Sequence, residues 1–134
     1  IDASILIQAH VREQHSEDVL AFLRQLERPN KLELHVPEFC LLECTNVIWK
    51  HVRLHGMPVE YARQAVQQLM QLPLTVQPTI EHLPAALDIG LEHGLAIYDS
   101  LYLALARALS VPLLTDDARQ AQVAQEQGIP IQLP

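Results

Sequence analysis

The sequence predicts an α/β fold: a three-layer α/β/α sandwich in which helices cover both faces of a central, mostly parallel sheet of about five strands. Segments with the apolar spacing of helices alternate with short apolar runs of strand length from one end of the chain to the other. Such alternation is typical of a parallel sheet. The chain has 134 residues, of which 49% are hydrophobic and 19% charged, so a single domain over 1–134 with one core is expected.

The boundaries of the elements follow from capping and chain-breaking residues. Ile1 to Ile7 are typical of the end of a strand followed by the start of a helix. Because the sequence does not begin with Met, residues ahead of Ile1 are expected to complete that first strand. Pro37 suits the first turn of a long helix that stops at Gly56.

Proline and glycine place most of the other ends. Pro29 breaks the helix before it, Pro73 ends another, and Gly94 and Gly128 close two more, whereas Thr79 can cap a helix start. The predicted helices cover 16–27, 37–55, 58–72, 79–93, 101–109 and 116–128, and the predicted strands cover 32–36, 74–76, 111–115 and 129–133.

Four carboxylates stand where predicted elements start or stop, in otherwise apolar or small-residue stretches. They are Asp2, Glu43, Asp99 and Asp117. An unpaired buried carboxylate is costly, so these placements suggest that a cation lies among them. Asp2 and Asp117 follow predicted strands, and ligands of parallel sheets bind at the carboxyl ends of strands. We therefore expect the four acids to face one crevice.

A site made of carboxylate oxygens selects hard cations such as Mg²⁺ or Mn²⁺. Such an ion lowers the pKa of a bound water and stabilises charge on a phosphoryl oxygen, which makes metal-assisted hydrolysis the natural chemistry. None of the four glycines stands in a GxxxxGK or GxGxxG arrangement, which counts against an NTPase or a dinucleotide enzyme.

Each acid also has a purely structural interpretation. Asp99 and Asp116 could be N-caps of the helices that follow them, and Asp2 could simply end a strand. Glu43 is harder to explain in this way, because it lies inside an apolar stretch of helix. Asp116 and Asp117 compete for the position of the fourth acid.

The helix that carries Glu43 also carries a polar stripe. Asn46, Lys50 and Arg53 follow Glu43 at i+3, i+7 and i+10. Asn46 could hydrogen-bond Glu43 or a metal-bound water, and the two basic residues could form a track for RNA phosphates. An ordinary amphipathic helix with its polar side in solvent explains the stripe equally well.

The net charge and the number of cysteines further restrict the possible functions and the compartment of the protein. The net charge of −7 argues against broad duplex binding, but the four acids supply a large part of it, so a metal nuclease remains compatible. Cys40 and Cys44 are too few for a disulfide framework and are expected to be small buried residues in a reducing, cytoplasmic setting. His51 and His55 have metal-ligand spacing but are expected at the surface. No apolar run has the length of a membrane span.

Four segments occur in an informative order: IDAS, VPEFCLLECTNVIWK, GLAIYDSLYLALARAL and PLLTDD. Together they resemble the PIN-domain family, specifically the single-domain ribonuclease toxins of bacterial toxin–antitoxin pairs, the VapC-like group. In this resemblance Asp2 is the first metal ligand and Ser4 a supporting hydroxyl. Glu43 is the second acid, with Asn46 as its polar neighbour.

The same resemblance makes Asp99 the third acid, and Thr115 with Asp117 the last motif. The chain departs from the family pattern at Ile97, where small residues are common, and in having Asp116 as a second aspartate after the threonine. The second departure leaves the choice between the two aspartates open.

The resemblance implies a PIN-like sandwich, Mg²⁺- or Mn²⁺-dependent cleavage of RNA, a homodimer, and a cognate antitoxin that blocks the acidic pocket. An inserted arginine would suit such a pocket. The face formed by Tyr61, Ala65 and Leu69 is a candidate surface for a partner but is expected to be core. Two other functions stay open: a non-catalytic interaction module with this fold, and a metal-dependent phosphatase acting on small molecules.

Overall fold

The structure, a computed structural model, describes residues 1–11, 16–23 and 33–132. Within these ranges the helices are α1 (Ala3–Ile7), α2 (Ser16–Leu23), α3 (Cys40–His55), α4 (Val59–Gln71), α5 (Leu83–His93), α6 (Ile97–Leu109) and α7 (Ala118–Glu126), and a 3-10 helix (Ile80–His82) leads into α5. The strands there are β1 (Leu34–Pro37), β2 (Leu74–Gln77), β3 (Leu113–Leu114) and β4 (Ile131–Gln132).

The strands form two parallel pairs. β1 pairs with β2, with Leu34 opposite Leu74, and β3 pairs with β4. Between the pairs, the backbone nitrogen of Ile1 donates to His35 O at 2.9 Å, and that of Asp2 donates to Leu114 O at 2.9 Å. The α/β class with parallel strands is thus confirmed.

The described part of the chain contains four strands in two pairs, and the expected single sheet of about five strands is not found there. The reason is local. The segment between the two pairs makes one hydrogen bond to each side and then enters α1, so it forms no ladder of its own.

Helix α6 lies at the centre of the core. Residues 100–106 of this helix are all buried, and α5 packs along it. At Gly90 in α5, an added Cβ would lie 2.9 Å from Ile97 Cδ1 and 3.0 Å from Leu95 O. The lack of a side chain at Gly90 therefore allows the turn that enters α6 to approach α5 closely.

Several predicted boundaries move. Pro37 ends β1 instead of opening α3, because Glu38 N still donates to Gln77 O at 3.0 Å and the helix begins only at Cys40. Helix α6 starts at Ile97, so its opening is earlier than predicted, and Asp99 lies in its first turn. Parts of three other predictions lie outside the described residues: 24–27 of a helix, and 32 and 133 of two strands.

The hairpin of α3 and α4 confirms two other expectations and a third in part. Gly56 closes α3 with a left-handed φ of 72°. Cys40 and Cys44 are free, buried residues of α3. In α4, Ala65 and Leu69 are buried core residues, although Tyr61 on the same face is exposed. Among the described helices, none combines the length and the apolar character needed to span a bilayer.

Candidate metal centre

Asp2 is the most firmly held of the four acids. It precedes α1 and is only 6% exposed. Its carboxylate accepts hydrogen bonds from Ala3 N at 2.8 Å, Ser4 Oγ at 2.6 Å and Thr115 Oγ1 at 3.1 Å. Ser4 and Thr115, both expected as supporting hydroxyls, thus contact the acid directly and fix its orientation.

The segment after β3 brings the last two aspartates to the same place. Asp116 N donates to Ser4 Oγ at 3.2 Å, and Asp117 N donates to Thr115 Oγ1 at 3.1 Å. Asp117 Oδ1 caps α7 by accepting from Gln120 N at 2.7 Å. The N-cap that the sequence suggested for Asp116 therefore belongs to Asp117.

Asp116 has a different role. Its Oδ2 accepts a hydrogen bond from Gln8 Nε2 at 2.7 Å, which ties the segment after β3 to the end of α1. Burial and neighbouring acids raise the pKa of Asp99, and Asp117 is one of these acids. This electrostatic contact favours Asp117 as the fourth member of the cluster.

Glu43 and Asp99 lie in the first turns of α3 and α6. Glu43 Oε2 accepts a hydrogen bond of 2.6 Å from the hydroxyl of Tyr102. Asp99 is not an N-cap, because Ala96 occupies that position. The carbonyl oxygen of Asp99 accepts from Gln120 Nε2 at 3.4 Å, so α6 and α7 are joined beneath the cluster.

The four carboxylates influence one another electrostatically. Burial raises the pKa of Asp99, and the nearby charges of Asp2 and Asp117 raise it further. Burial also raises the pKa of Glu43. The hydrogen bond from Tyr102 partly offsets this effect, and the charges of Asp2 and Asp99 add to it. Burial is the main reason that both pKa values rise, and the smaller contributions of the neighbouring charges indicate that the acids lie within electrostatic reach of Asp99 and Glu43.

The chemistry of the donor set fits a hard divalent cation. All four acids offer oxygen ligands. Among the described residues, the buried side-chain oxygens Gln8 Oε1 and Gln120 Oε1 also have no hydrogen-bond donor. The amide nitrogen of Gln8 donates to the carboxylate of Asp116, and that of Gln120 donates to the backbone carbonyl of Asp99. The space around the acids therefore contains many hydrogen-bond acceptors.

The geometry is open, however. Across residues 1–11, 16–23 and 33–132, no three acidic, histidine or cysteine side chains converge as ligands of one ion. Repulsion among the like charges of the acids favours such a spread.

The polar stripe of α3 (Asn46, Lys50 and Arg53) begins beside Glu43, but no hydrogen bond among the described residues links it to the four acids. Asn46, Lys50 and Arg53 are all exposed. The described hydrogen bonds give Glu43 the partner Tyr102, and none joins it to Asn46. With a rise of about 1.5 Å per residue, Arg53 lies about 15 Å along the helix from Glu43. A phosphate track along this stripe stays a prediction.

The sequence patterns do not predict three polar residues that lie beside the acids: Tyr102, Gln8 and Gln120. All three are buried. For Tyr102 the available signal was a hydroxyl inside the apolar helix α6, because a buried tyrosine hydroxyl normally has a partner. Gln8 follows α1 and Gln120 lies in the polar helix α7, so neither stands out in the sequence. Tyr102 also lies three residues after Asp99, on the same side of α6.

The fold and this acid cluster define an α/β protein with a candidate metal centre at the carboxyl ends of β1 and β3. The family model for the PIN domain matches residues 1–126. The chain therefore belongs to the PIN domain family.

Similar proteins carry ribonuclease names. The chain is 31% identical over 124 residues to Ribonuclease VapC3 of Pyrobaculum aerophilum, covering 91% of each. It is 39% identical over 72 residues to Ribonuclease VapC1 of Mycobacterium tuberculosis, covering 52% of each. The crystal structure of PAE2754 from Pyrobaculum aerophilum superposes with a TM-score of 0.68 at 22% identity, covering 91% of this chain and 76% of that chain, and shows the shared fold.

Proposed function

We propose that the chain is a single-domain, Mg²⁺- or Mn²⁺-dependent endoribonuclease and the toxin of a toxin–antitoxin pair. The main support for this proposal is a group of four carboxylates in which Asp2 and Asp117 act on Asp99, and Asp2 and Asp99 act on Glu43. The similarity to two proteins named as VapC ribonucleases supports RNA as the substrate.

The residues of the chain have distinct tasks in this mechanism. When bound, the divalent ion would activate a water and stabilise charge on the phosphoryl oxygens. Asp2 provides a fixed carboxylate, because Ser4 and Thr115 hold it. Glu43 and Asp99, whose pKa values are raised, provide the charge that a cation neutralises most favourably.

The proposed RNA contact uses the exposed side of α3. Lys50 and Arg53 lie on the helix that carries Glu43, and both are exposed. Each can neutralise a phosphate, so binding should weaken as salt rises. Asn46 lies between Glu43 and these basic residues along the helix.

The proposed antitoxin is a protein that fills the acidic crevice. A guanidinium matches the planar carboxylate oxygens and remains charged at all relevant pH values, so an arginine from the partner suits this cluster. The buried free thiols Cys40 and Cys44 suit a reducing compartment, so we place the activity in the cytoplasm.

We further propose a homodimer that forms through the outer face of α5 and the preceding 3-10 helix. Ile80, Leu83, Leu87 and Leu91 are 44–76% exposed and recur at helical spacing. One apolar stripe can bury itself against its copy across a two-fold axis. The face of Tyr61, Ala65 and Leu69, the candidate partner surface in the sequence, is less suitable because Ala65 and Leu69 are core residues.

Cleavage of a panel of structured RNAs tests the proposal. The protein is incubated with Mn²⁺, with Mg²⁺ and with EDTA, beside an Asp99→Asn control. We expect cutting that requires metal and is lost in the control. Hydrolysis of a simple phosphate ester without RNA cleavage would indicate a phosphatase. If the folded protein neither cut RNA nor gained thermal stability from millimolar Mn²⁺, it would be a non-catalytic module.

A further inference from the structure

Tyr102 contacts the acid cluster although it is not itself an acid. Its hydroxyl donates to Glu43 Oε2 at 2.6 Å, and the side chain is only 2% exposed. Tyr102 and Asp99 lie three residues apart on α6. One turn of this helix therefore carries one candidate acid and also holds a second acid that belongs to α3.

The ring of Tyr102 is fixed by its surroundings. Phe39, in the turn before α3, packs edge-on against it with ring centroids 5.6 Å apart and planes at 78°. The thiol of Cys40 is close to the hydroxyl. A ring held in this way directs its hydroxyl at one place, so Glu43 meets a donor that cannot easily turn elsewhere.

Glu43 depends on a single donor more than Asp2 and Asp117 do. Asp2 is short and accepts several hydrogen bonds, and Asp117 is fixed by capping α7. Glu43 has a longer side chain and is only partly buried, and its described hydrogen-bond partner is Tyr102. Without the hydroxyl, the carboxylate would lose orientation.

We propose that Tyr102 is a positioning residue of the metal centre: its hydroxyl fixes one oxygen of Glu43 and leaves the other, Oε1, for the cation. This inference rests on the proposed function. Partners that orient metal ligands in this way typically change metal affinity or activity by about 10–100-fold when they are removed. Tyr102 touches neither RNA nor the ion in this role and acts through Glu43.

Direct Mn²⁺ binding tests the inference without relying on activity. Free Mn²⁺ is counted by its electron paramagnetic resonance signal during titration of the full chain. For Tyr102→Phe, which keeps every ring carbon, we expect affinity lower by about tenfold. Tyr98→Phe is the matched control. Tyr98 lies on the same helix against the same Phe39 ring, at 5.4 Å, but is 63% exposed, so its variant should bind like the parent.

Two further measurements separate positioning from mere support of the fold. Melting in EDTA reports folding alone, and a structural role would lower the melting temperature while leaving Mn²⁺ affinity unchanged. The same tyrosine change is also made in Glu43→Gln. If Tyr102 acts through Glu43, its removal has no further effect on Mn²⁺ affinity in that background. Should Tyr102→Phe not fold, Tyr102→Met also removes the hydroxyl while its flexible side chain fills the space of the ring, and it should weaken Mn²⁺ binding about tenfold as well.

The outcomes are distinct. Tight Mn²⁺ binding by the parent with unchanged binding by Tyr102→Phe overturns the inference and leaves the proposed function intact. An equal loss in both tyrosine variants, or a full loss that persists in Glu43→Gln, also overturns it. If the parent chain does not bind Mn²⁺, the metal centre itself is wrong and the inference fails with it.

Discussion

The same chemical change at two of the acids should have opposite effects on stability. Asp2→Asn and Asp99→Asn each replace a carboxylate by an amide of nearly equal size. Asp2 is buried and accepts hydrogen bonds from Ser4 Oγ and Thr115 Oγ1 at 2.6 and 3.1 Å. The carboxylate of Asp99 is disfavoured in its charged form by burial and by Asp2 and Asp117, which raise its pKa.

The expected size of the Asp2→Asn effect follows from these contacts. A hydrogen bond to a charged group contributes about 1.5–3 kcal/mol, against about 0.5–1.5 kcal/mol for a neutral one. The amide of asparagine keeps one acceptor oxygen, but its NH₂ group faces the donors that bonded the second carboxylate oxygen, so two or more of these hydrogen bonds weaken. Relief of the repulsion from Glu43 and Asp99 acts the other way, but both partners are only half-buried, so solvent screens part of that repulsion. We expect a net loss of about 2 kcal/mol in the free energy of unfolding.

Thermal unfolding in EDTA at pH 7 measures both variants. For a chain of this size about 1 kcal/mol corresponds to about 4 °C, so Asp2→Asn should melt about 8 °C below the parent. Asp99→Asn should melt at the same temperature as the parent or above it. If Asp2→Asn were as stable as the parent, the hydrogen bonds would not be what holds Asp2, and the reasoning would be refuted.

Three further predictions concern other parts of the molecule. Because the pKa of Asp99 is raised in the folded state, its ionisation destabilises the parent as pH rises from about 4 through that pKa. The gain in melting temperature of Asp99→Asn over the parent in EDTA should therefore grow between pH 4 and pH 7 and vanish at lower pH. A gain independent of pH would contradict this. Gly90→Ala should lower the free energy of unfolding by about 1 kcal/mol, because crowding against Leu95 O at 3.0 Å outweighs the better helix propensity of alanine. A gain in stability measured by urea unfolding would contradict this. Leu91→Glu should shift the sedimentation coefficient from dimer to monomer, whereas Met70→Glu, equally exposed on α4, should not; a dimer in both variants would exclude the α5 surface.

The fold class could be predicted because periodicity and breakers act locally. Gly56 and Gly94 close α3 and α5 as expected, with left-handed φ values of 72° and 65°. Pro37 misled the prediction, because a proline suits both the end of a strand and the first turn of a helix. The choice depends on the pairing of β1 with β2, which involves residues forty positions apart.

The sequence predicts the acids of the candidate site and the supporting hydroxyls of Ser4 and Thr115, but not the contact of Tyr102. That the acids bind a metal stays a prediction. A carboxylate in an apolar stretch is visible in the sequence, and the structure brings Asp2, Glu43, Asp99 and Asp117 within electrostatic reach. The contact between Tyr102 and Glu43 spans fifty-nine positions and depends on how α6 packs against α3, so no local pattern reveals it.

The most direct test of the central claim is the anomalous scattering of Mn²⁺ in a crystal of the full chain soaked with that ion. We expect one or two peaks within bonding distance of carboxylate oxygens from Asp2 and Asp99, with Glu43 or Asp117 completing the site. A peak only at another place, such as between His51 and His55, whose rings lie 4.8 Å apart, would show that the four acids are not the metal centre.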